Sequence, residues 1–254
     1  MLAWGIAIDA TTLSVLIVVF MATLIRSTFG FGEALIAVPL LALWIPLNVA
    51  APLAVLVSIT IAAFIVVQDW QKIHLRSTGW LVLSTLFGIP LGLLLLTSSH
   101  QRMVKGALGL IIIAFALYSL IGRPPVELKD DNRLWLLVCG LCAGVLGGAY
   151  GMNGPPLAIY GSMRRWSAQN FRATLQGYFL PASIIGMAGY WLAGLWTSVV
   201  THYYLLSLPV TLLGVLLGRA INHRLRGDGF LKYVYLGLIG TGALLLAQSI
   251  AGKL

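Results

Sequence analysis

The stretch RSTFGFGEALIAVP, Arg26 to Pro39, places an arginine, a glutamate, two glycines two apart and a proline inside some of the most apolar sequence in the chain. A guanidinium offers a planar fork of donors that matches an oxyanion. A carboxyl group held out of water favours its protonated form, so Glu33 is suited to taking up and releasing a proton. Glycine admits backbone angles that other residues resist and lets main-chain N–H groups approach a ligand, which makes Gly30 and Gly32 candidates for a binding turn. Charged groups at membrane depth are costly and by default mark function. The plainer readings are that Glu33 caps a helix dipole, paired with Arg26, and that Arg26 snorkels to the surface from the end of a helix.

A second stretch has the same outline. GVLGGAYGMNGPP, Gly144 to Pro156, interrupts the uncharged run Leu134–Met163, which as one helix would be about 45 Å long. YGMNGPPLAI (Tyr150–Ile159) lies over FGFGEALIAV (Phe29–Val38), GVLLG (Gly214–Gly218) over GIPLG (Gly88–Gly92), and LGLI occurs at Leu108 and again at Leu236. The order of the three matches points to an internal repeat. Gly151, Asn153 and Gly154 then stand opposite the first break. Asn153 supplies both a donor and an acceptor, or bonds its own backbone in a turn. Arg172 and Gln176, one helical turn apart, extend a polar track with Gln169; anchoring in an inside loop is the simpler reading of Arg172.

The elements that must position these residues follow from composition. Of 254 residues 59% are hydrophobic and 9% charged, and the mean hydropathy is +0.96. A soluble domain carries about 25% charged residues, so the chain is an all-α integral membrane protein, one transmembrane domain over residues 1–254. The net charge of +9 is spread over short loops. It is explained first by the positive-inside rule, and it argues against a nucleic-acid partner. No basic residue precedes the first apolar run and Asp9 sits where a positive leader would be, so a cleaved signal is not expected.

Uncharged runs give spans near Ala10–Ile25, Asn48–Gln68, Ser77–Thr97, Gly106–Gly122, Phe171–Leu192, His202–Gly218 and Tyr233–Gly252, with short pieces at Ala34–Ile45 and from Pro155. The repeats cover about residues 10–122 and 134–252. Arg164, Arg165 and Arg172 mark one cytoplasmic loop, as do Arg219, Arg224, Arg226 and Lys232, and the loop with Arg123, Lys129 and Arg133 is a third. Two successive inside loops flank Leu134–Met163, so that segment must enter and return. Each half becomes a broken or re-entrant hairpin plus three spans, and such halves are inverted relative to one another; a parallel repeat is the alternative, since Arg102 and Lys105 fall outside. Matched breaks, at Ser27–Gly32 and Gly147–Gly154, point to a midplane site, with helix starts near Glu33 and Pro155 offering N–H groups to an anion.

The motifs FGFGEALIAVP and GGAYGMNGPPLAIY, with their flanking spans in order, resemble the TauE/SafE family of sulfite exporters across nearly the whole chain. The resemblance implies a multi-pass transporter in the bacterial inner membrane that moves sulfite, organosulfonates or related small anions outward. It also implies that Gly30, Gly32 and Pro39, with Gly151, Gly154 and Pro155, line or shape the path. Glu33 and Asn153 stand where that family commonly has another glycine. The implied partners are a small anion, protons and membrane lipid.

Other functions are disfavoured. Cys139 and Cys142 form C-G-L-C, the motif of a thiol oxidoreductase, but no acid pair or Ser–His arrangement accompanies them. His74, His100, His202 and His223 are scattered without metal spacing, and no cofactor is implied. A passive anion channel is a close relative of the transporter reading, and an assembly subunit leaves the paired breaks unexplained.

Overall fold

A computed structural model describes residues 9–96, 101–121, 127–150, 153–225 and 228–251. Among them lie ten α-helices and no strand: α1 (Ala10–Phe29), α2 (Glu33–Leu41), α3 (Leu47–Asp69), α4 (Leu75–Leu96), α5 (Gln101–Leu120), α6 (Arg133–Tyr150), α7 (Gly154–Met163), α8 (Ala168–Leu192), α9 (Ser198–Arg224) and α10 (Asp228–Ala251). A single 3₁₀ turn, Trp70–Lys72, follows α3. Among the described residues four stretches are long and apolar enough to cross a membrane: Ala10–Phe29, Asn48–Lys72, Ser198–Arg224 and Gly229–Ala247. Helix α8 is also long, at 25 residues, but Gln169, Asn170, Arg172 and Gln176 occupy its first half.

Both breaks are narrower than the glycine runs predict. Ser27–Phe29 remain in α1 and Gly147–Tyr150 in α6, leaving 30–32 and a second break of which Asn153 is described. Glycine tolerates a helix interior when neighbouring helices satisfy the backbone and pack close to it, so glycine content overstates the interruption. Several helices also run past their expected ends: α9 reaches Arg224, because the charged residues used to end the span lie on its last turns.

One end of the bundle gathers basic residues. Asp69 at the end of α3 bonds Arg172 near the start of α8 at 2.9 Å and Arg219 near the end of α9 at 3.2 Å. Asn222 on α9 donates to the carbonyls of Thr28 and Ala168, at 2.7 and 3.1 Å. Asp131, just before α6, accepts from Ser77 on α4 and Tyr160 on α7, at 2.8 and 3.0 Å. The Leu128 N–H reaches the Met163 carbonyl at 3.0 Å. Helices α1, α3, α7 and α9 therefore run toward this end, and α4, α6 and α8 run away from it. The hairpin α6–α7 starts and finishes here. The hairpin α1–α2 starts and finishes at the other end, because α3 must begin there to reach Asp69 after 23 residues, about 35 Å.

The packing partners of the two halves match. Helix α4 lies along α6 as α9 lies along α1, α3 packs on α8, and α5 on α10. In the register set by the sequence matches, Gly88 corresponds to Gly214 and Gly144 to Thr23. A Cβ on Gly88 would stand 2.8 Å from Gly144 Cα, and one on Gly214 would stand 2.9 Å from Thr23 Cγ2, so the same crossing occurs twice. The LGLI match does not carry over into packing. Gly109 faces the Gly242 carbonyl, whereas Gly237 faces the ring of Phe31.

Candidate functional site

The first break is built by two left-handed glycines. Gly30 ends α1 at φ 88° and Gly32 precedes α2 at φ 98°, a region that a Cβ makes unfavourable. A Cβ on Gly30 would also lie 3.1 Å from Arg172 Cα, so α8 passes directly against the turn. The glycines turn the chain so that the last turn of α1 and the first turn of α2 face one another, which brings Arg26 to Glu33.

Arg26 is 4% exposed and Glu33 4%. The Arg26 Nη1 group binds Glu33 Oε2 and Ser58 Oγ. Its Nε and Nη2 donate to Gln176 Oε1 at 2.9 and 2.8 Å. Gln176 in turn donates through Nε2 to the Gly30 carbonyl at 2.9 Å, fixing its amide orientation and tying α8 to the break. Ser58 and Ser183 share a hydrogen bond of 3.0 Å across α3 and α8. The ring of Phe179 lies 4.9 Å beneath the guanidinium, a favourable position for a cation. Four of the five Arg26 N–H groups are thus engaged by protein. Glu33 Oε1 is buried with no partner among the described residues.

The second break carries no charge among its described residues. Asn153 precedes α7 without capping it. Its side chain reaches the Tyr178 hydroxyl, which shares a 2.8 Å hydrogen bond with Thr85. A Cβ on Gly154 would meet Phe31 Cβ at 3.4 Å and Phe179 Cζ at 3.8 Å. Phe31 from the first break and Phe179 therefore stand between the two breaks. Pro155 and Pro156 in the first turn of α7 have no N–H, so that helix start offers fewer of the expected N–H groups than α2 does. Helix α2 keeps its donors. Gly151 lies outside the described residues, and Pro39 is within α2.

Arg172 is not in this network. Only its backbone touches the break. Its side chain, 1% exposed, turns toward the basic end and pairs with Asp69. The simple reading of Arg172 as a loop residue fails because α8 starts at Ala168 and buries the side chain between helices. Sequence reading passed over Ser58, Ser183, Tyr178 and Asp69. Only Asp69 left a signal, as an acid one residue beyond the long uncharged run. Cys139 and Cys142 are free thiols on α6, with Cys139 in the apolar core. Among the described residues no three His, Cys, Asp or Glu side chains gather as for a metal.

Long apolar helices broken around a buried ion pair define an all-α membrane protein with a polar centre. The chain belongs to the Sulfite exporter TauE/SafE family, whose model matches residues 15–246. It is 23% identical over 226 residues to the "Probable sulfite/organosulfonate exporter TauE" of Cupriavidus necator, covering 88% of each chain. No solved structure matches. The family is one of exporters, membrane transporters and not enzymes, which sets aside the oxidoreductase reading of the cysteines.

Proposed function

We propose that this protein is a multi-pass transporter of the bacterial inner membrane that exports a small sulfur-containing oxyanion through a centre between the two breaks. The observation that carries the reading is the buried cluster of Arg26, Glu33, Gln176 and the Gly30 carbonyl, set across Phe31 and Phe179 from Gly154. Buried charges are costly in lipid, and here they collect where the backbone is also broken. The basic end is cytoplasmic by the loop-charge rule. Helices in corresponding places of the two halves run in opposite senses, which supports an inverted repeat with its axis in the membrane plane.

In the mechanism we propose, Glu33 is the resident counter-ion of Arg26. An incoming oxyanion competes for the same N–H groups. A proton on Glu33 removes that competition and frees Nη1, so proton and anion occupancy become linked. The α2 helix start and the main-chain N–H groups beside Gly32 supply the remaining donors. Phe31 and Phe179 separate the two breaks until the hairpins shift.

The test is anion flux in proteoliposomes with and without a pH gradient. Sulfite and an organosulfonate should be transported by the wild type, and Glu33→Gln should retain anion binding but lose the gradient-driven part. Equal gradient dependence in both proteins would remove Glu33 from the coupling. Absence of flux of either anion would remove the substrate class.

A further inference from the structure

The second buried arginine is also paired with one carboxylate, nearer the basic end, but is less fully bonded than the first. Arg172 is 1% exposed and donates from Nη1 to Asp69 Oδ2 at 2.9 Å. Among the described residues its Nε and Nη2 groups are buried without a partner. Asp69 Oδ1 also receives Lys72 at 3.1 Å and Arg219 at 3.2 Å. Three cations therefore share one carboxylate, an excess of two positive charges. A second acidic contact at this end differs: Asp131 faces Arg164 at 3.3 Å and is otherwise bonded by two hydroxyls.

Exposure is graded across the cluster. Arg219 and Lys72 are 35% and 31% exposed, and Asp69 is 3%. Behind Asp69 stands Arg172, and one helical turn further along α8 comes Gln176, which bonds both Arg26 and the Gly30 carbonyl. Basic and amide donors thus run from solvent to the first break.

We propose that the ends of α3, α8 and α9 form an admission site for small oxyanions, in which Asp69 holds Arg172, Arg219 and Lys72 until an anion takes its place. Unpaired buried N–H donors and surplus positive charge are what a doubly charged oxyanion satisfies, and a carboxylate is its natural competitor. Arg219 and Lys72 capture the anion at the surface. Arg172 receives it once Asp69 is displaced, and the same displacement unties α3 from α8 and α9, opening the basic end. The site rests on the transporter reading for its purpose but not on the substrate's identity, because it recognises oxyanion charge and shape.

The experiment uses the full chain in detergent, with sulfate as a general oxyanion probe and sulfite beside it, against chloride at equal ionic strength. Sulfate should stabilise the wild type in a thermal shift. Asp69→Asn should lower its half-saturating concentration several-fold, and Arg219→Gln should raise it several-fold. In proteoliposomes, Arg219→Gln should raise the half-saturating sulfite concentration only when sulfite is added to the basic end. No stabilisation of the wild type by sulfate, or an Arg219→Gln protein with wild-type affinity, overturns the admission site. Asp69→Asn is informative where it folds, and tighter sulfate binding is then required. A wild type that binds sulfate through these residues yet moves no sulfite overturns the proposed transport and leaves the admission site standing.

Discussion

The two breaks occupy equivalent places in the packing of the two halves, yet they are chemically unlike. The first has Arg26 and Glu33 in contact, two glycines in the left-handed region and a helix start with its N–H groups intact. The second has Asn153, a neutral hydroxyl pair at Tyr178 and Thr85, and two prolines that strip donors from the start of α7. The crossings that carry the hairpins, α1 on α9 and α6 on α4, repeat the same close contact of small residues. The same backbone plan therefore carries two different sets of side chains. The first break holds charge, while the described residues of the second are uncharged and lie against Phe31 and Phe179. Pairing of like folds does not require pairing of like chemistry.

The contrast is most sharply tested by removing charge. Arg26→Met should destabilise the protein by about 3–5 kcal/mol, the usual cost of leaving one member of a buried pair alone. Arg26→Met combined with Glu33→Met should recover most of that loss while remaining inactive in flux. Chemical denaturation of the two variants measures both numbers. If the double variant is no more stable than the single one, the pair is not the source of the cost. No change of that size is expected from any uncharged substitution at Asn153.

Next in size is the backbone. Gly30→Ala should cost about 2–3 kcal/mol, combining the left-handed angle with the approach to Arg172 Cα. Gly154→Ala, at the start of α7 with no positive φ, should stay within about 1 kcal/mol of wild type. Equal losses would mean that both breaks are strained in the same way. Gly32→Leu places a branched side chain at φ 98° beside the charged centre and should abolish sulfite flux while membrane insertion is preserved. Normal flux in that variant would make the break a packing feature.

The smallest expected effect separates the neutral network from the charged one. Tyr178→Phe removes a hydroxyl held by Thr85 at 2.8 Å and should cost about 1 kcal/mol, the common net worth of one hydrogen bond. Its pH-gradient dependence of flux should equal that of the wild type, in contrast to Glu33→Gln. A Tyr178→Phe protein that lost the gradient response would transfer part of the coupling to the second half.

Composition and periodicity by themselves determined that the chain is helical and lies in a membrane, because 59% hydrophobic and 9% charged residues leave no other solvent for its surface. They also located both interruptions to within a few residues, since glycine and proline act locally on the backbone. The motif strings and their order carried the family. What the sequence left open depends on contacts between distant residues. That Arg26 meets Gln176, 150 positions away, follows only from α8 passing against Gly30, and a linear string does not encode which helix crosses which. The surroundings of Arg172 were decided in the same way: its neighbour Asp69 lies 103 positions away, so its burial and its partner appear only when α3 and α8 pack. Charge in a sequence has a position along the chain, but its cost and its chemistry are set by the dielectric and the partners around it, and those exist only in the fold.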